Sequence, residues 1–161
     1  MKSRLIIFFI FFLHGFACLY TQFLMRFFFF PPLEILKLQD RMMKEIHEKG
    51  KSIEDIVEVL KRTPIHPRIV PAIKAAHALG CDLRIVSDAN VFFIETILEH
   101  LGLKDCFTEI NTNPGFVDGE GRLRILPFHD FDKCSHGCTG LCPPNMCKVK
   151  YYLLFSLCGC S

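Results

Sequence analysis

The pattern of apolar and polar positions predicts two helices in residues 33–63. Apolar side chains recur there every three or four residues, and Gly50 separates the two stretches. Ser52 and Asp55 stand three residues apart at the start of the second stretch, which is the spacing of a capping box. Pro64 follows the second stretch and is expected to end it.

Helical and strand-like stretches alternate further along the chain. Residues 67–79 predict a third helix that ends at Gly80, and they are followed by a strand over residues 82–87, a helix over residues 90–101 and a strand over residues 107–110. The residues of the third helix that are expected to face the core are Ile69, Val70, Ile73, Ala76 and Leu79. This alternation is typical of a parallel α/β sheet, in which crossover helices link the strands.

A β-hairpin is predicted after the alternating part. Residues 115–118 and 122–125 are strand-like, and they flank Gly119-Glu120-Gly121, which favours a turn. The expected fold class is therefore α/β, with a small parallel sheet, helices and an added hairpin.

The end of the strand at residues 82–87 is a candidate for chemistry. Ser87 closes a β-branched apolar run, and Asp88-Ala89-Asn90 then leads into a helix. In open α/β sheets, ligands bind at the carboxyl ends of strands, where N–H groups of the next helix face an anion. A serine at this point can donate a hydrogen bond to a phosphoryl oxygen. The alternative is a serine that only caps the turn.

The first 30 residues carry a local compositional bias, since ten of the 17 phenylalanines lie before residue 31. Basic residues precede the apolar residues 5–13, and cleavage after Ala17 would suit a secretory signal. Residues 5–30 also approach the length of a membrane anchor, in which Arg26 is unfavourable. A third interpretation is translated non-coding sequence. All three stay open, and we expect this segment to lie outside the fold.

Four cysteines lie in a stretch rich in glycine and proline. Zn²⁺ accepts thiolate ligands, and the candidates are Cys134, Cys138, Cys142 and Cys147. Their spacing, C-x3-C-x3-C-x4-C, differs from the paired C-x2-C pattern of zinc knuckles. Disulfides are the second interpretation, favoured only in an oxidising compartment, and free thiols in a loop are the third.

Two other groups of residues are interpreted as structural. Asp130 and Asp132 have the spacing of an aspartate nucleophile and its general acid, but they follow Pro127 and the hairpin instead of a buried strand. Exposed or capping positions are expected for His66, His77 and His100, which lie on or beside predicted helices.

Composition sets broad limits. The 161 residues suffice for one domain, and 50% of them are apolar. A net charge of +2 is too small to predict a nucleic-acid partner.

Several sequence words, taken in order, resemble one known family. These words are Arg41-Met42-Met43-Lys44-Glu45, Ile65-His66-Pro67-Arg68, residues 76–81, residues 83–90, residues 110–115 and residues 142–148. They resemble the haloacid-dehalogenase-type (HAD) phosphatases of the phosphoethanolamine/phosphocholine phosphatase group. The plant members of that group are called inorganic pyrophosphatase or thiamine-phosphate phosphatase-like proteins. The resemblance extends over about residues 38–148.

The resemblance implies a partial Rossmann-like parallel sheet of the HAD type with part of a helical cap, a β-hairpin and a Cys-rich loop. The implied organisation is a Phe-rich segment in residues 1–32, cap helices in residues 33–63, a partial core in residues 64–148 and a tail outside the family pattern in residues 149–161.

The resemblance also implies a chemistry. Complete members hydrolyse small phosphomonoesters or pyrophosphate through an aspartyl phosphate, with Mg²⁺ as cofactor. By resemblance, the Ser87 hydroxyl holds the phosphoryl group and the Lys148 ammonium neutralises its charge. A cytoplasmic location is implied as well, with the secretory pathway or a membrane contact through residues 5–30 as the alternative.

Two family motifs are missing from these residues. No Asp precedes Asp40, so the Asp-x-Asp-x-Thr motif expected before the cap has no counterpart. The Gly-Asp metal loop expected after the lysine is also absent, and the family pattern stops at Val149. We therefore expect that the nucleophile and the Mg²⁺ ligands are lacking, that both ends are truncated or translated intron, and that the chain is inactive. The alternative function is a non-catalytic remnant that binds metal or a partner through the Cys-rich loop.

Overall fold

The computed structural model describes residues 4–8 and 32–129. Its elements, in chain order, are strand β1 (Arg4–Phe8), helices α1 (Pro32–Glu48), α2 (Ile53–Lys61) and α3 (Ile69–Ala78), strand β2 (Asp82–Asn90), helix α4 (Val91–His100), a short 3-10 helix (Lys104–Cys106), and strands β3 (Glu109–Asn113), β4 (Gly115–Val117) and β5 (Leu123–Ile125).

The expected α/β class is confirmed. Three strands form a parallel sheet in the order β1-β2-β3, so that β2 lies in the middle. The arrangement agrees with a partial Rossmann-like fold of the HAD type. Strands β4 and β5 pair in antiparallel fashion with Val117 opposite Leu123, which confirms the predicted hairpin.

Strand β1 differs from the expectation that the Phe-rich start lies outside the fold. Arg4–Phe8 pairs in parallel with β2, from Arg4 opposite Asp82 to Phe8 opposite Val86. Its sequence, Leu-Ile-Ile-Phe after the arginine, is the apolar run typical of a parallel strand. The expectation that the Phe-rich segment lies outside the fold is therefore wrong for Arg4–Phe8. The composition of this segment does not reveal that it pairs with β2, because strand pairing depends on contacts between residues that are far apart in sequence.

The local start and stop signals of the helices are confirmed. At the start of α2, Ser52 Oγ accepts a hydrogen bond from Asp55 N at 3.2 Å, and Ser52 N donates to Asp55 Oδ2 at 3.0 Å. Gly50 and Gly80 follow α1 and α3 with φ of 75° and 74°, a conformation in which glycine carries no steric penalty. These signals act within one helical turn, so they can be recognised without the rest of the fold.

Two apolar clusters hold the elements together. The first joins α3, β2 and α4, and its buried members are Ile73, Leu83, Ile85, Ile94, Leu98, Leu103 and Cys106. The second joins α1 to the hairpin and consists of Met43, Leu123 and Ile125, with Met42, Ile46, Ile53, Ile56, Phe92 and Phe93 packed against it. Phe92 and Phe93 begin α4, so the second cluster lies beside the amino terminus of that helix.

The expected inward positions of α3 are corrected at both ends of the helix. Ile73 in the middle is 3% exposed, whereas Ile69 is 40% and Leu79 is 84% exposed. The helix begins at Ile69 and ends at Ala78, so these two residues lie at or beyond its ends and away from the contact with the sheet. His66, His77 and His100 are exposed, as predicted.

Candidate functional site

A β-bulge near the carboxyl end of β2 interrupts its pairing with β3. Their pairing is regular up to Val86, which stands opposite Asn111, and it resumes at Asn90, which stands opposite Asn113. Residues 87–89 of β2 therefore face a single residue of β3. Strand β2 is consequently three residues longer than predicted, and β3 starts two residues later than predicted and extends to Asn113. Bulges of this kind redirect side chains and often lie next to functional sites.

Ser87 is the first residue of the bulge. Its side chain is buried, at 1% exposure, and its Oγ accepts a hydrogen bond from Ala89 N at 3.1 Å. Ser87 therefore caps the turn, which is compatible with either interpretation of this residue. The contact also fixes the hydroxyl at the end of the sheet where ligands of open α/β folds bind. The contact of Ser87 with a phosphoryl group stays a prediction.

Asn113 ties the bulge to the end of β3. Its Nδ2 donates hydrogen bonds to the carbonyl oxygens of Asp88 and Ala89, both at 2.8 Å. Its Oδ1 accepts a hydrogen bond from Phe128 N at 3.3 Å. The side chain is fully buried. Asn113 therefore connects β2, β3 and the segment after the hairpin.

Asn90 joins the bulge to helix α4. Its Oδ1 accepts a hydrogen bond from Phe93 N at 3.0 Å, which makes Asn90 the cap of a ten-residue helix. The turn after β3 approaches this cap closely, because a Cβ added to Gly115 would lie 2.9 Å from Asn90 Oδ1. Only glycine fits there without movement of the cap. The amino terminus of α4, the positive end of its dipole, is thereby held beside Ser87.

At this end of the sheet, three buried polar atoms have no hydrogen-bond partner among residues 4–8 and 32–129. They are Asn90 Nδ2, Asn111 Nδ2 and Thr112 Oγ1, all in buried residues. Buried polar groups are nearly always satisfied in proteins, so unsatisfied ones at the ligand-binding end of a sheet point to a polar ligand. The side chains named here are amides and hydroxyls, which can donate hydrogen bonds to an anion.

The opposite, amino ends of the strands carry a structural network. Arg84 contacts Asp82 at 3.0 Å and Glu109 at 2.5 Å, and the hydrogen bond with Asp82 raises the pKa of Arg84. Thr108 Oγ1 donates to the Asp82 carboxylate and also lies 3.1 Å from the Leu83 carbonyl oxygen. This network ties β2 to β3 at the end away from Ser87.

The residues at the Ser87 end do not fit a Mg²⁺ ion by themselves. Within residues 4–8 and 32–129, no three His, Cys, Asp or Glu side chains are grouped to hold a metal. Mg²⁺ prefers carboxylate and phosphate oxygens, whereas the buried side chains here are Ser, Thr and Asn. Both cysteines in this part of the chain, Cys81 and Cys106, are free.

The other residues predicted from the sequence lie outside the described ranges. They are Lys148, the candidate zinc ligands Cys134, Cys138, Cys142 and Cys147, and the Asp130 and Asp132 pair. Of the helices in the described part of the chain, none combines the length and hydropathy needed to span a bilayer.

A family model described as "Putative Phosphatase" matches residues 30–154. The chain belongs to this phosphatase family. The HAD phosphatase resemblance drawn from the sequence words is thereby confirmed, and Ser87 and its bulge lie inside the matched region.

Similar proteins carry phosphatase or pyrophosphatase names, in agreement with this family. The chain is 61% identical to "Inorganic pyrophosphatase 2" of Arabidopsis thaliana over 134 residues, which are 83% of this chain and 46% of that protein. It is 56% identical to "Thiamine phosphate phosphatase-like protein" of the same plant over 112 residues, 70% of this chain and 45% of that protein. It is 31% identical to human "Phosphoethanolamine/phosphocholine phosphatase" over 112 residues, 68% of this chain and 40% of that protein. The chain thus spans less than half the length of these relatives.

Sequence reasoning found Ser87 but missed Asn113, Asn111 and Thr112. The available signal was the run Asn111-Thr112-Asn113 directly before Pro114-Gly115. Three polar residues at the end of a predicted strand, followed by a turn dipeptide, mark a strand end with side chains for a site. Their partnership with the bulge depends on register, which the run alone does not define.

Proposed function

We propose that the Ser87 end of the sheet binds the phosphoryl group of a small phosphorylated metabolite or of pyrophosphate. The observation that carries this proposal is the buried Ser87 hydroxyl in a β-bulge beside the amino terminus of α4. Helix amino termini favour anions, and a hydroxyl adds a directed hydrogen bond. The names of the relatives, which include a pyrophosphatase and a phosphoethanolamine/phosphocholine phosphatase, support this class of ligand.

The proposal gives each residue a limited task. The Ser87 hydroxyl contacts one phosphoryl oxygen, and Lys148 supplies a positive charge that balances the phosphate. Asn90 Nδ2 and Asn111 Nδ2 are further donors for oxygen atoms of the ligand, because both are buried and have no partner within the part of the chain that the structure describes. We place this activity in the cytoplasm, as the family resemblance implies.

We further propose that a protein of these 161 residues binds phosphate without hydrolysing phosphate esters. An aspartyl-phosphate mechanism needs a carboxylate nucleophile at a strand end, and no Asp precedes Asp40 in this sequence. Mg²⁺ is the cofactor that the family suggests, but the described residues supply no carboxylate set for it. The zinc-binding alternative rests on the presence of four cysteines within residues 134–147.

The test is phosphate binding by the full chain and two serine variants. Amide NMR spectra are recorded during titration with inorganic phosphate and then with pyrophosphate. Ser87→Ala removes the proposed contact, and Ser52→Ala is the matched control, since Ser52 Oγ also accepts a backbone N–H but lies at the start of α2. A hydrogen bond to a charged group contributes about 1.5–3 kcal/mol. We therefore expect Ser87→Ala to weaken phosphate binding at least about tenfold and Ser52→Ala to leave it unchanged.

Two results would contradict the proposal. Equal phosphate affinity of the wild type and Ser87→Ala would show that Ser87 does not contact the phosphate. Release of phosphate from pyrophosphate or phosphoethanolamine by the purified chain with MgCl₂, above that of a no-protein blank, would disprove the absence of turnover. Zinc bound in stoichiometric amount and lost on Cys142→Ser would favour the alternative function.

A further inference from the structure

We propose that Asn113 is the positioning residue for the Ser87 hydroxyl. Its function would be to hold the bulge of residues 87–89 in one conformation, and so to keep the hydroxyl directed at the ligand. The inference rests on the proposed function only in taking Ser87 as the phosphoryl contact.

The first step of the argument is the cost of the bulge. Where three residues of β2 stand opposite one residue of β3, the regular pairing of the two strands is interrupted. Partly buried carbonyl oxygens in such a stretch are stabilised by a side-chain donor. Asn113 Nδ2 donates to two of them, the carbonyls of Asp88 and Ala89, at 2.8 Å each. One amide group thus compensates for the interrupted ladder.

The second step is the peptide plane between Asp88 and Ala89. The carbonyl of this plane accepts from Asn113 Nδ2, and its N–H donates to Ser87 Oγ at 3.1 Å. A peptide group is planar, so the carbonyl and the N–H turn together. When Asn113 holds the carbonyl, it also holds the N–H that fixes the Ser87 hydroxyl. The contact between Asn113 and Ser87 is therefore indirect but rigid.

The third step is the orientation of Asn113 itself. Two carbonyl oxygens lie on one side of its amide and the Phe128 N–H lies on the other, so only one amide orientation satisfies all three contacts. Aspartate has nearly the same shape and keeps the acceptor for Phe128 N. It has no donor, however, and it would bring a carboxylate oxygen against the two carbonyl oxygens. Asn113→Asp therefore removes both positioning contacts and also adds a buried negative charge, whereas Asn113→Ser weakens the contacts without adding a charge.

The matched control is Thr108→Val. The Thr108 hydroxyl donates to the Asp82 carboxylate and lies close to the Leu83 carbonyl oxygen, so it links the start of β2 to the residue before β3. Both substitutions remove side-chain bonds between β2 and the β3 segment, and only Asn113→Asp touches the bulge. A change seen in both variants reports on the sheet, and a change seen only in Asn113→Asp reports on the bulge.

The experiment measures amide hydrogen exchange and phosphate affinity of the full chain. Exchange at Ala89 N is divided by exchange at Leu98 N, a fully buried position of α4 that reports on global opening. We expect Asn113→Asp to raise this ratio at least about tenfold and to weaken phosphate binding by a similar factor. Thr108→Val should leave both unchanged. Asn113→Ser, which keeps one donor, should give intermediate values, and it replaces Asn113→Asp if that variant does not fold.

The outcomes separate the two proposals. An exchange ratio that is the same in the wild type, Asn113→Asp and Thr108→Val would overturn the positioning role of Asn113. A raised ratio in Asn113→Asp, together with no phosphate binding by the wild type, would uphold the positioning of Ser87 and disprove the proposed function. A raised ratio with unchanged phosphate affinity would show that the hydroxyl does not need the bulge to bind, which also overturns the positioning role.

Discussion

Asp40 links helix α1 to the hairpin, and its replacement tests how the two parts are held together. Arg124 donates from Nε to Asp40 Oδ1 at 2.9 Å and from Nη2 to Oδ2 at 3.0 Å. Ile125 N donates to the same carboxylate at 2.9 Å. Asp40→Ala removes all three hydrogen bonds and leaves the backbone N–H of the buried Ile125 without this partner.

The loss of stability expected for Asp40→Ala depends on how exposed the Asp40 and Arg124 side chains are. Hydrogen bonds to charged groups contribute about 1.5–3 kcal/mol each when they are well buried. Here the Arg124 and Asp40 side chains are 36% and 26% exposed, so solvent screens part of the attraction. We expect Asp40→Ala to lower the free energy of unfolding by about 2–3 kcal/mol, most of it from the unpaired Ile125 N–H and the lost bidentate contact. Asp40→Asn keeps an acceptor and should lower it by about half as much.

The effect should depend on pH in one direction. Burial raises the pKa of Asp40, but the hydrogen bonds from Arg124 and Ile125 and the charges of Arg124 and Arg122 lower it more, so the pKa of Asp40 lies below its usual 3.8. A lowered pKa in the folded state means that the stabilisation is fully present above the unfolded pKa and is lost as the pH falls through the folded pKa. The difference between the wild type and Asp40→Asn should therefore shrink below about pH 4.

The assay is urea unfolding of the full chain, followed by far-UV circular dichroism because the sequence contains no Trp. A double-mutant cycle with Arg124→Ala isolates the coupling between the two side chains, for which we expect about 1–2 kcal/mol. Arg41→Ala is the control, since its pair with Glu45 on the same helix is exposed and should contribute no more than about 0.5 kcal/mol. A coupling between Asp40 and Arg124 as small as this control effect would refute the argument.

Three further substitutions test local features of the fold by thermal or urea unfolding. Ser52→Ala removes the capping box of α2 and should cost about 1 kcal/mol, and an unchanged midpoint would contradict this. Gly115→Ala places a Cβ 2.9 Å from the oxygen that caps α4 and should lower the free energy of unfolding by about 1–3 kcal/mol. A Cβ at Gly119 has no atom within 4 Å, so Gly119→Ala should leave the free energy of unfolding nearly unchanged. Ile73 is 3% exposed, and Ile73→Ala should lower the free energy of unfolding by about 2–4 kcal/mol. Leu79 is 84% exposed, and Leu79→Ala should leave the free energy of unfolding nearly unchanged. Equal effects of the two substitutions would show that α3 is misplaced.

The order of the helices and strands from α1 to β5, and part of the candidate site, followed from the sequence alone. The helices, the hairpin and the capping box at Ser52 were predictable because helical spacing, capping and turn residues act over a few neighbouring positions. Ser87 was predictable as a candidate site residue because a polar residue that ends an apolar strand marks the ligand-binding edge of an α/β sheet. The family resemblance rested on words of the same local kind.

Only the tertiary structure decided which of these elements meet. The pairing of β1 with β2, the bulge opposite β3, the contacts of Asn113 and the Asp40–Arg124 link all join residues that are far apart in sequence. The register between two strands is set by the packing of whole faces, and a shift of one residue would change which side chains meet. For this reason the sequence identified Ser87, and the structure was needed to identify Asn113, whose side chain holds the Ser87 bulge.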